Sequence, residues 1–270
     1  MFETPNLNQQ AKLIRNLILD MIYNAKSSHL GCALSIVDIL VTLYLGDILK
    51  VDPQKPNWED RDKFILSKGH ACVALYATLA MRGYFPLEKL NEYGSNGTLM
   101  CDHNTLGALP GIETTNGSLG HGLPLGIGMA LAAKKDDKSS RIFVLVGDGE
   151  LQEGSNWEAL MFAGFHKLDN LVLIIDNNNL ETLGNTDNIL SLAPLDKKLE
   201  NFNWQVRISN GHSFPELLNS LRPADRPLAV IANTTKSKGV PFMENDYIWH
   251  GKCPTIEEYK KAKKELGEVV

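Results

Sequence analysis

No stretch of this sequence stays apolar for the roughly 18 to 20 residues that a membrane-spanning helix needs. The chain is therefore not expected to cross a membrane. Its start, Met1-Phe2-Glu3-Thr4-Pro5-Asn6, has neither the basic nor the apolar part of a secretory leader. Cysteine is scarce. Cys32, Cys72, Cys101 and Cys253 lie far apart and form neither a CxxC pair nor a zinc-type spacing. Reduced, buried thiols in a cytoplasmic protein are the expectation. Basic charge is also in deficit: the net charge is −5, which argues against nucleic acid as a partner because phosphate-backbone binding needs a basic face. Internal repeats, low-complexity segments and linker-like shifts of composition are missing too. A chain of 270 residues with 43% hydrophobic content is then expected to bury a sizeable core as one domain, 1–270.

Within that frame the patterns alternate between helix and strand. From Gln9 to Lys26, Leu13, Ile14, Leu17, Ile18, Met21 and Ile22 recur at helical spacing. Ser35 with Asp38 three residues on reads as a capping box opening a second helix through Tyr44, which leaves His29 in the loop between the two. Phe64-Ile65-Leu66-Ser67 reads as a short buried strand. Lys68-Gly69-His70 then turns into a helix over Ala71 to Met81, closed by Gly83. A lysine and a histidine oppose the dipole at a helix start but suit an anion held by the free amides there. Nine glycines fall between Gly94 and Gly128, a stretch too long for a passive connection. Its Gly117-Ser118-Leu119-Gly120-His121-Gly122 leads into a helix running to about Ala133. Further on, Asn156 to Phe165 reads as a helix, and Trp204 to Ile208 and Leu228 to Ala232 as strands. Ser213 and Glu216 suggest a second capping box between those strands. Thr255 to Leu266 reads as a charged, solvated helix. Repeated strand, helix, strand units point to a doubly wound α/β fold.

The centre of the sequence is Gly147-Asp148-Gly149, followed about thirty residues later by Asp176-Asn177-Asn178-Asn179-Leu180. Each segment ends an apolar, β-branched run that reads as a buried parallel strand, 142–146 and 171–175. Open α/β sheets bind ligands beyond the carboxyl ends of their strands. The donors offered there are hard oxygens, with no Cys or His in either loop. Such a set suits Mg²⁺ or Ca²⁺ and not zinc. Mg²⁺ completes its roughly six-oxygen shell with phosphate oxygens, so a diphosphate is a natural companion. Glycines beside Asp148 would let the backbone approach it closely.

The stretch from Gly147 through Gly154 to Asn177-Asn178 resembles the thiamine diphosphate motif, which opens with GDG and closes with NN. The chain as a whole is similar to the N-terminal, diphosphate-binding domain of transketolase. Ser28-His29-Leu30-Gly31, Leu66-Ser67-Lys68-Gly69-His70-Ala71, Pro110-Gly111-Ile112-Glu113-Thr114-Thr115 and Trp249-His250-Gly251-Lys252 carry this likeness alongside the central motif. It implies a three-layer α/β/α fold with a mostly parallel sheet. It also implies that Asp148, the Asn178 side chain and the Leu180 carbonyl bind Mg²⁺, while the Gly149 amide, His70, Lys236 and His250 hold the diphosphate. Gly117 and Leu119 would meet the aminopyrimidine end. His29, His103 and His250 would line the substrate channel as the catalytic histidines, imidazole being able to accept and donate protons near neutrality. Glu153 matches a cofactor-site glutamate near the subunit interface.

The activity so implied is transfer of a two-carbon ketol unit from a ketose phosphate such as xylulose 5-phosphate to an aldose phosphate such as ribose 5-phosphate, in the cytoplasm and in the pentose phosphate pathway. In this family the glutamate that activates the cofactor and the groups that grip the substrate phosphate belong to a following pyrimidine-binding domain. The resemblance is therefore to the N-terminal subunit of a split enzyme, whose partner in an α2β2 assembly is a C-terminal transketolase subunit. Three departures from the family pattern stand out: Asp102-His103-Asn104, His121, and Asn116 within the threonine run. Three alternatives remain open at this level: a related enzyme for another sugar phosphate, the α subunit of a 2-oxo acid dehydrogenase, and a cofactor-binding protein without turnover.

Overall fold

The computed structural model describes residues 6–267, so most of the start read as leaderless lies outside them. α1 (Leu7–Ala25) is opened by the Asn6 side chain, which accepts from the Gln9 amide at 3.2 Å, and it buries Ile14, Ile18, Leu19 and Ile22. α2 (Leu30–Ser35) and α3 (Val37–Leu45) follow. Ser35 thus ends one helix instead of capping the next, and its hydroxyl donates to the Cys32 carbonyl and to Asp176. After β1 (Lys63–Leu66) a 3-10 turn over Gly69–Ala71 leads into α4 (Cys72–Arg82), which Gly83 closes at φ 94°. The glycine-rich stretch carries turns and bends but neither helix nor strand until α5 (Gly122–Lys135).

Then come β2 (Ile142–Gly147), a 3-10 turn over Gly149–Gln152, α6 (Gly154–Phe165), β3 (Leu171–Asn177), α7 (Thr186–Leu190) and α8 (Leu195–Asn201). β4 (Gln205–Asn210), α9 (Phe214–Ser220), β5 (Leu228–Asn233) and α10 (Ile256–Glu265) complete the order. At α9 the Ser213 side chain makes no capping bond, and Glu216 accepts instead from the Asn210 amide at 3.0 Å. At α10 the Thr255–Glu258 capping box is complete.

The five strands pair in parallel in the order β1-β2-β3-β5-β4. Helices cover both faces, so successive strand residues enter opposite cores. Phe143, Leu145, Val172, Ile174, Leu228 and Val230 join the core under α1, α3 and α4, whereas Ile142, Val144, Val146, Leu171, Leu173 and Ile175 join the one under α5 and α6. Close packing explains Gly164, where a Cβ would fall 1.7 Å from the Phe202 carbonyl oxygen. Among the described residues no helix is long and apolar enough to cross a membrane. Only two cysteines match the expected burial: Cys32 and Cys72 are buried, Cys253 is half-buried, and Cys101 is exposed because it sits in the glycine-rich loop outside either core. All four are free thiols.

Register decides where the functional groups meet. Gly147 pairs with Asp176, and Asn177 with Asn233. The strand ends that release Asp148, Asn178 and the Thr234-Thr235-Lys236 loop therefore lie side by side at one edge of the sheet.

Candidate active site

Asp148 is buried, with one carboxylate oxygen accepting from the Gly149 amide at 2.9 Å and the other from the Asn179 amide at 2.6 Å. Burial first, and then the charge of Asp176, push its pKa up to about 7 despite those amides. A carboxylate held that high is a group in want of a cation. Asn178 donates its amide to Asp176 at 3.0 Å, which turns its oxygen toward Leu180, whose N–H it accepts at 3.1 Å. The Leu180 carbonyl accepts from Lys236 Nζ at 3.3 Å. Each of these oxygens keeps a lone pair for a further partner.

These groups line a cavity of about 220 Å³ together with Cys32, Lys68, His70, Leu119, Gly149, Glu153 and His250. The carboxylate, amide and carbonyl donors fit Mg²⁺ by type, and the lysine and histidines beside them fit an anion. Lys236 is buried, and burial lowers its pKa.

His29, in the left-handed conformation at φ 69°, caps α2, and its N–H donates to the His250 carbonyl at 2.8 Å. Its ring centroid lies 5.1 Å from that of His70, 5.3 Å from His250 and 6.1 Å from His103. Four histidines read from separate stretches thus converge. Burial is the main force lowering the pKa of His29, His70 and His250, the last to about 4, so these rings are neutral at physiological pH. His103 is the outermost, with Nδ1 at 3.2 Å from Asp102. Ser28, Asp102 and Gly251, the sequence neighbours of three of them, line a second, open hollow of about 660 Å³. Gly117 packs on the His103 ring: a Cβ there would lie 3.2 Å from its Cδ2. His121 is exposed at the start of α5.

Two departures from the family pattern turn out to be one contact. Asn104 Nδ2 donates to the Asn116 side-chain oxygen at 3.0 Å, and the Asn116 amide donates to the Asn104 carbonyl at 3.0 Å. They pin the glycine-rich loop to itself.

Sequence reasoning missed three residues. Asp176, fully buried, gathers Lys68 at 2.6 Å, Ser35 at 2.7 Å, Asn178 and Thr234. Lys68 is therefore neutralised by Asp176 and does not offer a free charge to an anion, as its place before a helix suggested. Glu150 accepts from Ser67 and from the amides of Gly120 and Gly147 at 3.0 and 3.2 Å, tying the glycine-rich loop to the central motif. Cys32, directly after Ser28-His29-Leu30-Gly31, also lines the cavity. The sequence signal for Asp176 was its place directly before the Asn pair.

A parallel α/β sheet that gathers hard-oxygen donors, a buried lysine and neutral histidines at its carboxyl edge belongs to the class of α/β proteins that bind a ligand beyond their strand ends. The family model described as "Transketolase, thiamine diphosphate binding domain" matches residues 7–269, and the chain belongs to the transketolase family. It is 40% identical over 270 residues to an apulose-4-phosphate transketolase subunit of Phocaeicola vulgatus, covering 98% of this chain and 95% of that one. To the 6-deoxy-6-sulfo-D-fructose transketolase subunit SqwG of a Clostridium species it is 40% identical over 265 residues, covering 97% and 96%. The crystal structure of Campylobacter jejuni transketolase superposes with a TM-score of 0.91 at 34% identity, covering 97% of this chain but 42% of that one. The chain is thus a transketolase-family subunit that matches these two relatives along nearly their whole length, and it spans about two fifths of the solved enzyme.

Proposed function

We propose that this chain is the N-terminal subunit of a split transketolase that, with thiamine diphosphate, Mg²⁺ and a separate C-terminal subunit, moves a two-carbon ketol unit between sugars. The observation that carries this reading is the meeting of Asp148, Asn178 and Leu180 with Lys236, His70 and His250 around one cavity. Asp148, the Asn178 side chain and the Leu180 carbonyl would hold Mg²⁺. The Gly149 amide, His70, Lys236 and His250 would hold the diphosphate, with Gly117 and Leu119 toward the aminopyrimidine end and Glu153 at the cofactor site near the subunit interface. The bound cofactor supplies the carbon–carbon bond cleavage. Around it, His29, His103 and His250 bind the donor's hydroxyls and move protons, as neutral imidazoles can.

The pyrimidine-binding domain comes from the partner in an α2β2 assembly, in the cytoplasm. The relatives are named for a sugar phosphate and a sulfo-fructose, so the donor is a ketose bearing an anionic group. Xylulose 5-phosphate with ribose 5-phosphate, the pentose phosphate pathway pair, is the reference assay.

The test is reconstitution. The isolated chain should show no transfer, and addition of the C-terminal subunit, thiamine diphosphate and Mg²⁺ should restore it. Asp148→Ala should abolish Mg²⁺-dependent cofactor binding measured by calorimetry on the assembled enzyme. Turnover by the chain alone, or tight binding by the variant, would overturn the reading.

A further inference from the structure

The cofactor cavity contains a second set of donors of opposite character. The sulfur of Cys32, in α2, and one ring nitrogen each of His70 and His250 all lie within 4.8 Å of one another. They come from three separate places: α2, the 3-10 turn before α4, and the turn over Tyr247–His250. The His70 and His250 rings are 5.1 Å apart by centroid. His250 Nδ1 is buried and has no hydrogen-bond partner. A tetrahedral zinc ion holds its sulfur and nitrogen ligands roughly 3.5 Å from one another, from bonds of about 2.3 and 2.0 Å. The separations here exceed that spacing by no more than about 1.3 Å.

We propose that Cys32, His70 and His250 form a binding site for a thiophilic divalent cation of the Zn²⁺ class, with water in the fourth position. Thiolate and imidazole select such ions, whereas the oxygen set of Asp148, Asn178 and Leu180 in the same cavity selects Mg²⁺. Both imidazoles are neutral at physiological pH, so their lone pairs are free to bind. The Cys32 thiol donates to the His29 carbonyl at 3.0 Å. Binding replaces that proton with the metal: the S–H bond breaks, the sulfur–metal bond forms, and the proton leaves to solvent. Two lysines stand near. Lys68 is neutralised by Asp176, and the thiolate formed on binding offsets Lys236.

Because His70 and His250 also belong to the proposed diphosphate site, zinc at this position excludes the cofactor. That second consequence rests on the proposed function, while the metal site itself does not.

Cobalt(II), which reports thiolate ligation by a sulfur-to-metal charge-transfer band, tests the site on the full chain freed of cofactor. One equivalent should saturate the band in the native protein and in Cys101→Ser/Cys253→Ser. The band should vanish in Cys32→Ser, a near-isosteric change whose fold is checked by circular dichroism. His250→Gln should weaken cobalt affinity by about tenfold or more. No band in the native chain, or a band of unchanged affinity in Cys32→Ser, overturns the site. Zinc inhibition of the reconstituted enzyme, each form measured against its own rate, should be at least about tenfold weaker for Cys32→Ser. Equal sensitivity would sink the exclusion of cofactor, and the cobalt band would still decide the site.

Discussion

Asp176 shows how a single side chain holds the candidate site together. It is fully buried, and burial alone would raise its pKa. The Lys68 ammonium, followed by Thr234 and Ser35, outweighs that and holds the carboxyl below its ordinary value. Its bond to the Asn178 amide also fixes which end of that amide faces the cavity. Its partners come from α2, the end of β1, the end of β3 and the loop after β5, and nothing in the linear sequence marks them as neighbours. Asp148 and Asn178, by contrast, were legible because both lie within one motif of fixed spacing. The Lys68–Asp176 pair is buried, so removing one partner leaves an uncompensated charge. Lys68→Met should cost about 3–5 kcal/mol, read from urea unfolding of the full chain. A loss below about 1 kcal/mol, the range of exposed ion pairs, would show that the pair is dispensable.

Between elements, the same reasoning explains why the two capping boxes read from the sequence do not form. A capping box requires only local partners, and Ser35 and Glu216 have better ones elsewhere: Ser35 turns inward to Asp176, and Glu216 reaches back to the Asn210 amide. The Thr255–Glu258 box forms at the exposed start of α10, whose buried residues Ala262 and Lys263 lie further on, so the helix read as solvated is so only in part and local rules suffice at its start. β1, β2, β3 and β5 were legible for a related reason: buried on both faces, they are apolar over most of their length, whereas β4, at the edge of the sheet, is only partly buried.

Asp38, read as a cap partner, instead joins α3 to α1 and to the loop after β4. It accepts from Arg15 at 2.6 Å and from His212 Nδ1 at 2.7 Å, while His212 Nε2 accepts from the Thr235 amide at 2.8 Å. Those contacts fix the tautomer of His212 and brace the residue before Lys236. Burial pushes the Asp38 carboxyl upward, but His212 and Arg15 outweigh it and hold its pKa below the ordinary value. A folded-state pKa below the unfolded one adds stability above about pH 4 and loses it as pH falls through the folded value. Asp38→Asn should therefore lower stability by roughly 3 kcal/mol near neutrality. The gap from the native chain should stay constant from about pH 7 to pH 5 and shrink only below about pH 4. Urea titrations across that range check it, and a gap that widens in acid would reverse the assigned sign.

At the scale of the whole molecule, the distribution of cations argues for what this chain leaves to its partner. Among the described residues lining the cofactor cavity, the cations are Lys68 and Lys236, the first neutralised by Asp176 and the second set on the Leu180 carbonyl. The open hollow beside the histidines offers Lys26, which lies over the Tyr23 ring at 3.8 Å and shares the wall with Asp102. A dianionic substrate group finds little in such a wall to pair with, since phosphate recognition calls for several convergent donors or guanidinium forks. Hydroxyl recognition near the scissile bond is the task that the proposed function gives to His29, His103 and His250. On the proposed function the two tasks would be divided between chains, and donor choice at the anionic end should follow the C-terminal subunit. Pairing this chain in turn with C-terminal subunits from enzymes of different donor preference should shift relative kcat/KM among donors by about tenfold or more, equivalent to roughly 1.4 kcal/mol of differential transition-state binding. His29→Ala should lower kcat in each pairing by a similar factor. Donor preference that stays with this chain whichever partner is supplied would place the anion grip here, and Lys26 would be the first residue to remove.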